Sequence, residues 1–234
     1  MREVKSIANL NAAVRIPGSK SYTQRAMVIA ALAEGESRLT EVLAAEDTDL
    51  LGRALAALGA TIETAGTDMR IRGTGGKLVR PAGEIPPGNN GTAMRLLTAV
   101  AALADGPVCL TGTPRLQERP LKPLIDALAV LGVRCETAEG HGFPPVTIRG
   151  QGLRGGEVVL RDIESSQYVS ALLIAAPHAA ADVAITLEGT IPSLPYVALT
   201  VETMAAFGVD VLLDGTRRYV VKSGQRYRGR PYRV

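Results

Sequence analysis

A mixed α/β (α+β) fold of three repeated units, each with two helices and about four strands, is predicted by three features of the chain. The segment Arg53-Ala54-Leu55-Ala56-Ala57-Leu58-Gly59-Ala60 is echoed by Asp126-Ala127-Leu128-Ala129-Val130-Leu131-Gly132-Val133 and again by Glu202-Thr203-Met204-Ala205-Ala206-Phe207-Gly208-Val209. In each copy apolar residues recur at helical spacing and a glycine stands where a left-handed C-cap ends a helix. Alternating stretches follow, such as TIETAGTDMRIRG and VDVLLDGTRRYVVKSG, which read as hairpins turning at Gly-Thr and Asp-Gly. A second helix precedes each copy in the same frame, and it is apolar on nearly every face. A helix of that kind must be buried, so helices are expected innermost and strands outside.

The upstream helices open on Ser21-Tyr22-Thr23-Gln24-Arg25 before AMVIAALAEG, on Gly91-Thr92-Ala93-Met94-Arg95 before LLTAVAALADG, and on Ser165-Ser166-Gln167-Tyr168 before VSALLIAAP. Hydroxyl groups at these starts suit N-caps, where the backbone offers unpaired N–H donors. With two Phe, six Tyr and no Trp, the core must be built from small aliphatic side chains.

Composition narrows the function. Lys and Arg number 26 against 23 Asp and Glu, a net charge of +3 spread evenly along the chain, which argues against a nucleic-acid partner. The N-terminus lacks the apolar stretch of a signal peptide, and no run approaches the roughly 20 apolar residues of a membrane span. A cytoplasmic protein without membrane attachment is expected. Two cysteines in apolar segments, Cys109 and Cys135, read as buried reduced thiols. His141 and His178 stand apart from the motifs, no metal cluster is visible, and no cofactor is expected.

Capping alone explains a hydroxyl at any one helix start. Beyond capping stand Lys20, Ser21 and Arg25 at the first, Asn89, Asn90, Gly91, Thr92 and Arg95 at the second, and Ser165, Ser166 and Gln167 at the third. If the repeat gathers the three N-termini at one end, dipole ends, free N–H groups and cationic side chains converge into an anion site.

PGSKS followed by Arg25, NNGTAMR at 89–95, QERP at 117–120, SSQY at 165–168 and SLPYVALT at 193–200 resemble, in order and spacing, motifs of the N-terminal half of the EPSP synthase family of enolpyruvyl transferases. The resemblance implies transfer of enolpyruvyl from phosphoenolpyruvate to the 5-hydroxyl of shikimate 3-phosphate by addition and elimination of phosphate. It places shikimate 3-phosphate on Lys20, Ser21, Arg25, Ser165, Ser166, Gln167, Ser193 and Tyr196, with Arg25 on the carboxylate and the three serines on the phosphate. Phosphoenolpyruvate falls to Lys20, Asn89, Gly91, Thr92, Arg95, Arg119 and Gln167. Where the family often has proline after the motif arginine, this chain has Leu96.

None of these motifs supplies a general base. Asp47, Asp49 and Glu164 are the nearest carboxylates, and the family carries its catalytic aspartate in a second half of similar size. The resemblance therefore implies a strand segment over residues 1–16 that belongs to that second domain, a threefold-repeat substrate-binding domain over 17–222, and a crossover over 223–234 toward the C-terminal domain, the expected partner. Two alternatives stand beside the catalytic reading: an anion-binding module without turnover, and a sister transferase acting on UDP-N-acetylglucosamine.

Overall fold

Leucine, valine and alanine on every face of a helix can be satisfied only by enclosure, and three such helices set the architecture. The computed structural model describes Asn9, residues 11–14 and residues 16–234. The first unit runs α1 (Lys20–Leu32), β1 (Glu36–Thr40), α2 (Glu46–Ala57), β2 (Thr61–Ala65) and β3 (Asp68–Arg72). The second runs α3 (Gly91–Val100), β4 (Pro107–Leu110), the single turn α4 (Pro114–Gln117), α5 (Lys122–Val130), β5 (Arg134–Thr137) and β6 (Val146–Arg149). The third runs β7 (Gly156–Arg161), α6 (Gln167–Ala175), β8 (Val183–Glu188), α7 (Pro195–Ala206), β9 (Val211–Asp214) and β10 (Arg218–Val221), and β11 (Pro231–Arg233) follows.

The sheets are ordered β11-β1-β3-β2, β4-β6-β5 and β7-β8-β10-β9. In the first and third, an outer strand lies parallel to the strand that follows the buried helix, and that strand pairs with an antiparallel hairpin. The second sheet has three strands, with an isolated parallel bridge from Ile85 to Leu110 in the outer position. The first sheet takes its outer strand from the far end of the chain, Pro231 pairing with Arg38.

From Thr23 to Leu32 every residue of α1 is buried, as is every residue of α3 from Ala93 to Val100 and of α6 from Tyr168 to Ala175. Alanines recur along these helices, so their backbones approach closely: α3 packs on α6, and α7 packs on both α1 and α6. The partner helices bury one face each, Leu51, Ala54 and Leu55 on α2 and Val197, Thr200 and Met204 on α7.

The repeated glycines end α2, α5 and α7 in one way. Gly59, Gly132 and Gly208 have φ of +106°, +87° and +89°, the left-handed region glycine enters without a Cβ penalty. The next N–H then reaches back to the helix, Ala60 to the Leu55 carbonyl at 3.1 Å, Val133 to Leu128 at 2.9 Å and Val209 to Met204 at 3.0 Å. These are Schellman motifs, with an apolar residue closing each end.

Residues 223–234, read as a crossover, lie along the first unit: Tyr227 is fully buried with its hydroxyl donating to the Ile174 carbonyl at 3.0 Å, and β11 extends β1. The strand segment expected over 1–16 falls largely outside the described residues. Those of it that are described carry no regular secondary structure, and Val14 and Ile16 are each 82% exposed. Among the described residues no helix is long and apolar enough to cross a membrane, and no group of three or more His, Cys, Asp or Glu gathers as a metal site. Cys109 and Cys135 are free and half-buried, on the two strands flanking β6.

Two outcomes follow from this packing. Leu55→Ala removes a fully buried side chain and should cost about 2 to 5 kcal/mol in urea unfolding, whereas Val130→Ala on an exposed face should change stability by less than about 0.5 kcal/mol. His178 sits beyond the end of α6 against Gly76 and Tyr227, its Nε2 without a hydrogen-bond partner, and burial, helped by Arg226, lowers its pKa to about 4. The unfolded chain takes up that proton near pH 6.5, so it binds more protons than the folded chain between these values. Stability should thus fall by up to about 3 kcal/mol as pH drops from 6.5 to 4, and His178→Phe should flatten that part of the profile.

Candidate anion site at the helix N-termini

Side-chain bonds tie the N-terminal halves of α1, α2, α3, α6 and α7 to one another. Lys20, the first residue of α1, pairs with Asp47 in the first turn of α2 at 3.0 Å. Asn90 Nδ2 donates to the Asp47 carbonyl at 3.0 Å, joining α3 to α2. Gln167, the first residue of α6, donates from Nε2 to Thr92 Oγ1 at 3.0 Å and accepts from Arg95 Nη1 at 2.9 Å, joining α6 to α3. Arg25 reaches from α1 to Ser170 on α6 and Thr200 on α7. The starts of α1, α3 and α6 come together as expected, and they are joined by α2 at Asp47 and by α7 at Thr200.

The capping hydroxyls are differently used from expectation. Ser19 and Ser166 occupy the N-cap positions of α1 and α6, yet neither side chain bonds its helix. Among the three buried helices α3 alone is capped through its N-cap side chain, Asn90 accepting from the Ala93 N–H at 3.0 Å. Ser21 lies within the first turn of α1, and Ser165 Oγ accepts from the Gln167 N–H at 3.3 Å. Hydroxyls and amide N–H groups at α1 and α6 are left for another acceptor or donor.

Three arginines give the site its charge. Arg25 is 1% exposed and has no carboxylate partner among the described residues: its Nε donates to Thr200 Oγ1 at 2.7 Å, Nη1 to the Ser21 carbonyl at 3.0 Å and Nη2 to Ser170 Oγ at 3.1 Å. Burial pulls its pKa down to about 10, against a smaller upward pull from Tyr196, whose ring lies 5.7 Å from the guanidinium carbon. The group stays charged at neutral pH. Arg95 is 8% exposed, its Nε has no partner, and it lies 5.2 Å from the Tyr168 ring centroid. Arg119, half-buried in the loop after α4, forms no ion pair among the described residues.

Arg95 and Arg119 both come over Gly91. A Cβ built there would stand 2.6 Å from Arg119 Nη1 and 3.1 Å from Arg95 Nη1, so the glycine makes room for the two guanidinium groups. Tyr168 supports both arginines from below. Its ring faces Arg95, and its hydroxyl lies 2.7 Å from the carbonyl of Pro120, next to Arg119, and 2.6 Å from Glu164 Oε1. Burial and the Glu164 contact push the Tyr168 pKa well up, so the phenol stays protonated.

The expected set therefore divides. Thr92, Arg95 and Gln167 form one hydrogen-bonded group, Gly91 and Arg119 adjoin it, and Arg25 and Tyr196 form another with the Ser21 backbone. Asn89 is exposed, its neighbour Asn90 making the structural bonds. Ser193 is exposed, with φ +57°, and no hydrogen bond joins it to Ser165 or Ser166. Of the carboxylates, Asp47 is held by Lys20 and Glu164 by Tyr168. Sequence reasoning missed Ser170 and Thr200, hydroxyls inside otherwise apolar helices, and assigned no role to Tyr168.

Gly91→Ala should leave the melting midpoint within a few degrees of wild type, because the nearest obstacle is the mobile end of Arg119. It should displace both guanidiniums and weaken anion binding at this end of α3, measured by titration with a phosphorylated carboxylate.

The family model described as EPSP synthase (3-phosphoshikimate 1-carboxyvinyltransferase) matches residues 4–234. A 3-phosphoshikimate 1-carboxyvinyltransferase of Methanospirillum hungatei is 46% identical over 221 residues, 93% of this chain and 51% of its own length. That of Methanoculleus marisnigri is 43% identical over 233 residues, 99% of this chain and 55% of its own. The solved EPSP synthase of Acinetobacter baumannii superposes with a TM-score of 0.85 at 29% identity, covering 94% of this chain and 49% of that one. The chain spans about half the length of the curated relatives it matches.

Proposed function

The chain belongs to the EPSP synthase family, and from that premise we propose that it forms the shikimate 3-phosphate side of a 3-phosphoshikimate 1-carboxyvinyltransferase. The reaction transfers enolpyruvyl from phosphoenolpyruvate to the 5-hydroxyl of shikimate 3-phosphate and releases phosphate. The observation that carries this reading is a set of three arginines, Arg25, Arg95 and Arg119, without carboxylate partners among the described residues, at converging helix N-termini. Such an arrangement is costly to bury unless an anion completes it.

In this reading Ser165, Ser166 and Ser193 hold the shikimate phosphate, where hydroxyls and helix N–H groups suit a dianion. Arg25 takes the ring carboxylate. Since Arg25 is 1% exposed beneath Tyr196, that ring turns aside to admit the ligand and then lies against it. Arg119, Arg95, Lys20, Asn89, Thr92 and the Gly91 amide gather around phosphoenolpyruvate, and Gln167 stands between the two substrates. Planar guanidinium forks match carboxylate and phosphate oxygens, and the cations offset the repulsion of two polyanions held side by side. With Asp47 and Glu164 already engaged, the general base comes from the second half of the enzyme, the partner of this chain. The two free thiols, Cys109 and Cys135, fit a cytoplasmic location.

Shikimate 3-phosphate at 100 times its dissociation constant should stabilise the chain by about 2.7 kcal/mol, read as a rise in melting temperature. Unphosphorylated shikimate is the control and should give a smaller rise at the same concentration. Phosphoenolpyruvate alone should bind poorly, and no rise with saturating shikimate 3-phosphate would overturn the proposal.

A further inference from the structure

We infer that Ser170 and Thr200 are positioning residues: two neutral hydroxyls that lock the Arg25 guanidinium in place while leaving its charge for the carboxylate of the ligand. The inference rests on the shikimate 3-phosphate reading above and adds two residues to it. A buried arginine is ordinarily held by a carboxylate, which fixes its geometry and cancels its charge. Here the geometry is fixed and the charge is not cancelled.

The hydrogen accounting has one solution. Ser170 and Thr200 are fully buried, and their hydroxyl oxygens lie 2.8 Å apart. A hydroxyl has one proton and two lone pairs. Thr200 Oγ1 donates its proton to the Tyr196 carbonyl at 2.8 Å, so both lone pairs are acceptors, one for Arg25 Nε and one for Ser170. Ser170 must then donate to Thr200, which turns its own lone pairs toward Arg25 Nη2 at 3.1 Å. Every bond in the chain runs outward from the guanidinium, through the hydroxyls, to a helix carbonyl on α7. Each oxygen presents its negative end to the cation and none carries a charge.

The five N–H groups of Arg25 are thereby divided. Nε is spent on Thr200, one N–H of Nη1 on the Ser21 carbonyl and one of Nη2 on Ser170. One N–H remains on each Nη, the pair that a carboxylate can accept side by side. An aspartate in place of either hydroxyl would satisfy Arg25 and repel an incoming carboxylate. A valine or alanine would remove one of the three bonds that fix the guanidinium and leave it less firmly oriented. The pair of hydroxyls gives orientation without neutralisation, so it should govern how strongly the site prefers a carboxylate over a neutral group.

The test uses the 234-residue chain with Thr200→Val, Ser170→Ala and the conservative Thr200→Ser, titrated with shikimate 3-phosphate and with its carboxamide analogue. Thr200→Val should bind shikimate 3-phosphate roughly tenfold more weakly than wild type, the analogue should change by less than about twofold, and Thr200→Ser should recover most of the preference. Ser170→Ala should act in the same direction. Parallel weakening of both ligands, or an unchanged preference in Thr200→Val and Ser170→Ala, would overturn the inference in favour of a structural role. A second arm needs no ligand: in arginine-labelled NMR spectra the Arg25 Nε–H should exchange slowly in wild type and Thr200→Ser and quickly in Thr200→Val. Equal exchange in all three overturns the clamp. If wild type binds neither ligand, the substrate reading of this site fails, and the exchange arm alone decides whether the hydroxyls hold Arg25.

Discussion

Everything in this molecule depends on the enclosure of three helices that have no polar face. α1, α3 and α6 cannot lie on a surface, so the sheets are driven outward, and α2, α5 and α7 bury one face each while keeping another exposed. Alanine-rich surfaces let the buried helices approach closely, and few aromatic residues are needed to fill the remaining space. Enclosure also removes any lateral outlet for polar groups. Backbone donors and acceptors left over at the helix ends must be met at the ends themselves.

The two ends meet that requirement differently. At the C-terminal ends of α2, α5 and α7 the chain satisfies itself, through one left-handed glycine and one backward hydrogen bond repeated three times. At the N-terminal ends of the buried helices it does so only in part, Asn90 capping α3 and Ser165 taking one amide of α6. Ser19 and Ser166 stand in capping positions without capping, Arg95 keeps a buried Nε without an acceptor, and Arg25 is surrounded only by neutral oxygens. The contrast between these regularly closed ends and the open one is what the proposed anion site rests on.

The repeat was legible because it is local: apolar spacing, a glycine and an alternating stretch recur within short windows, and Gly59, Gly132 and Gly208 adopt the expected conformation. Most of the site was legible only through motif resemblance, since periodicity locates helix starts and says nothing about which arginine is buried. Three features were beyond the sequence. β11 pairs with β1 across nearly the whole chain, and no local pattern encodes a partner that distant. Lys20 pairs with Asp47 because two helix ends meet, which spacing alone does not reveal. Ser170 and Thr200 sit within apolar runs, where a hydroxyl ordinarily bonds its own helix backbone and passes as a neutral occupant.

Thr200 joins that ordinary role to the orientation of a buried cation. Its bond back to the Tyr196 carbonyl is the local bond expected of a threonine in a helix, and by itself it would only bend the helix slightly. By spending the proton there, however, the helix turns the remaining lone pairs of Thr200 outward as acceptors toward α1 and α6. The same carbonyl belongs to the residue whose ring lies over Arg25, so the movement of Tyr196 that the proposed reading requires would pull on the last link of the chain that holds the guanidinium. Orientation of the cation and access to it are therefore coupled through one turn of α7. An ion pair in place of these hydroxyls would fix Arg25 more tightly, but it would separate the two and leave no charge for the carboxylate that the proposed reading brings to it.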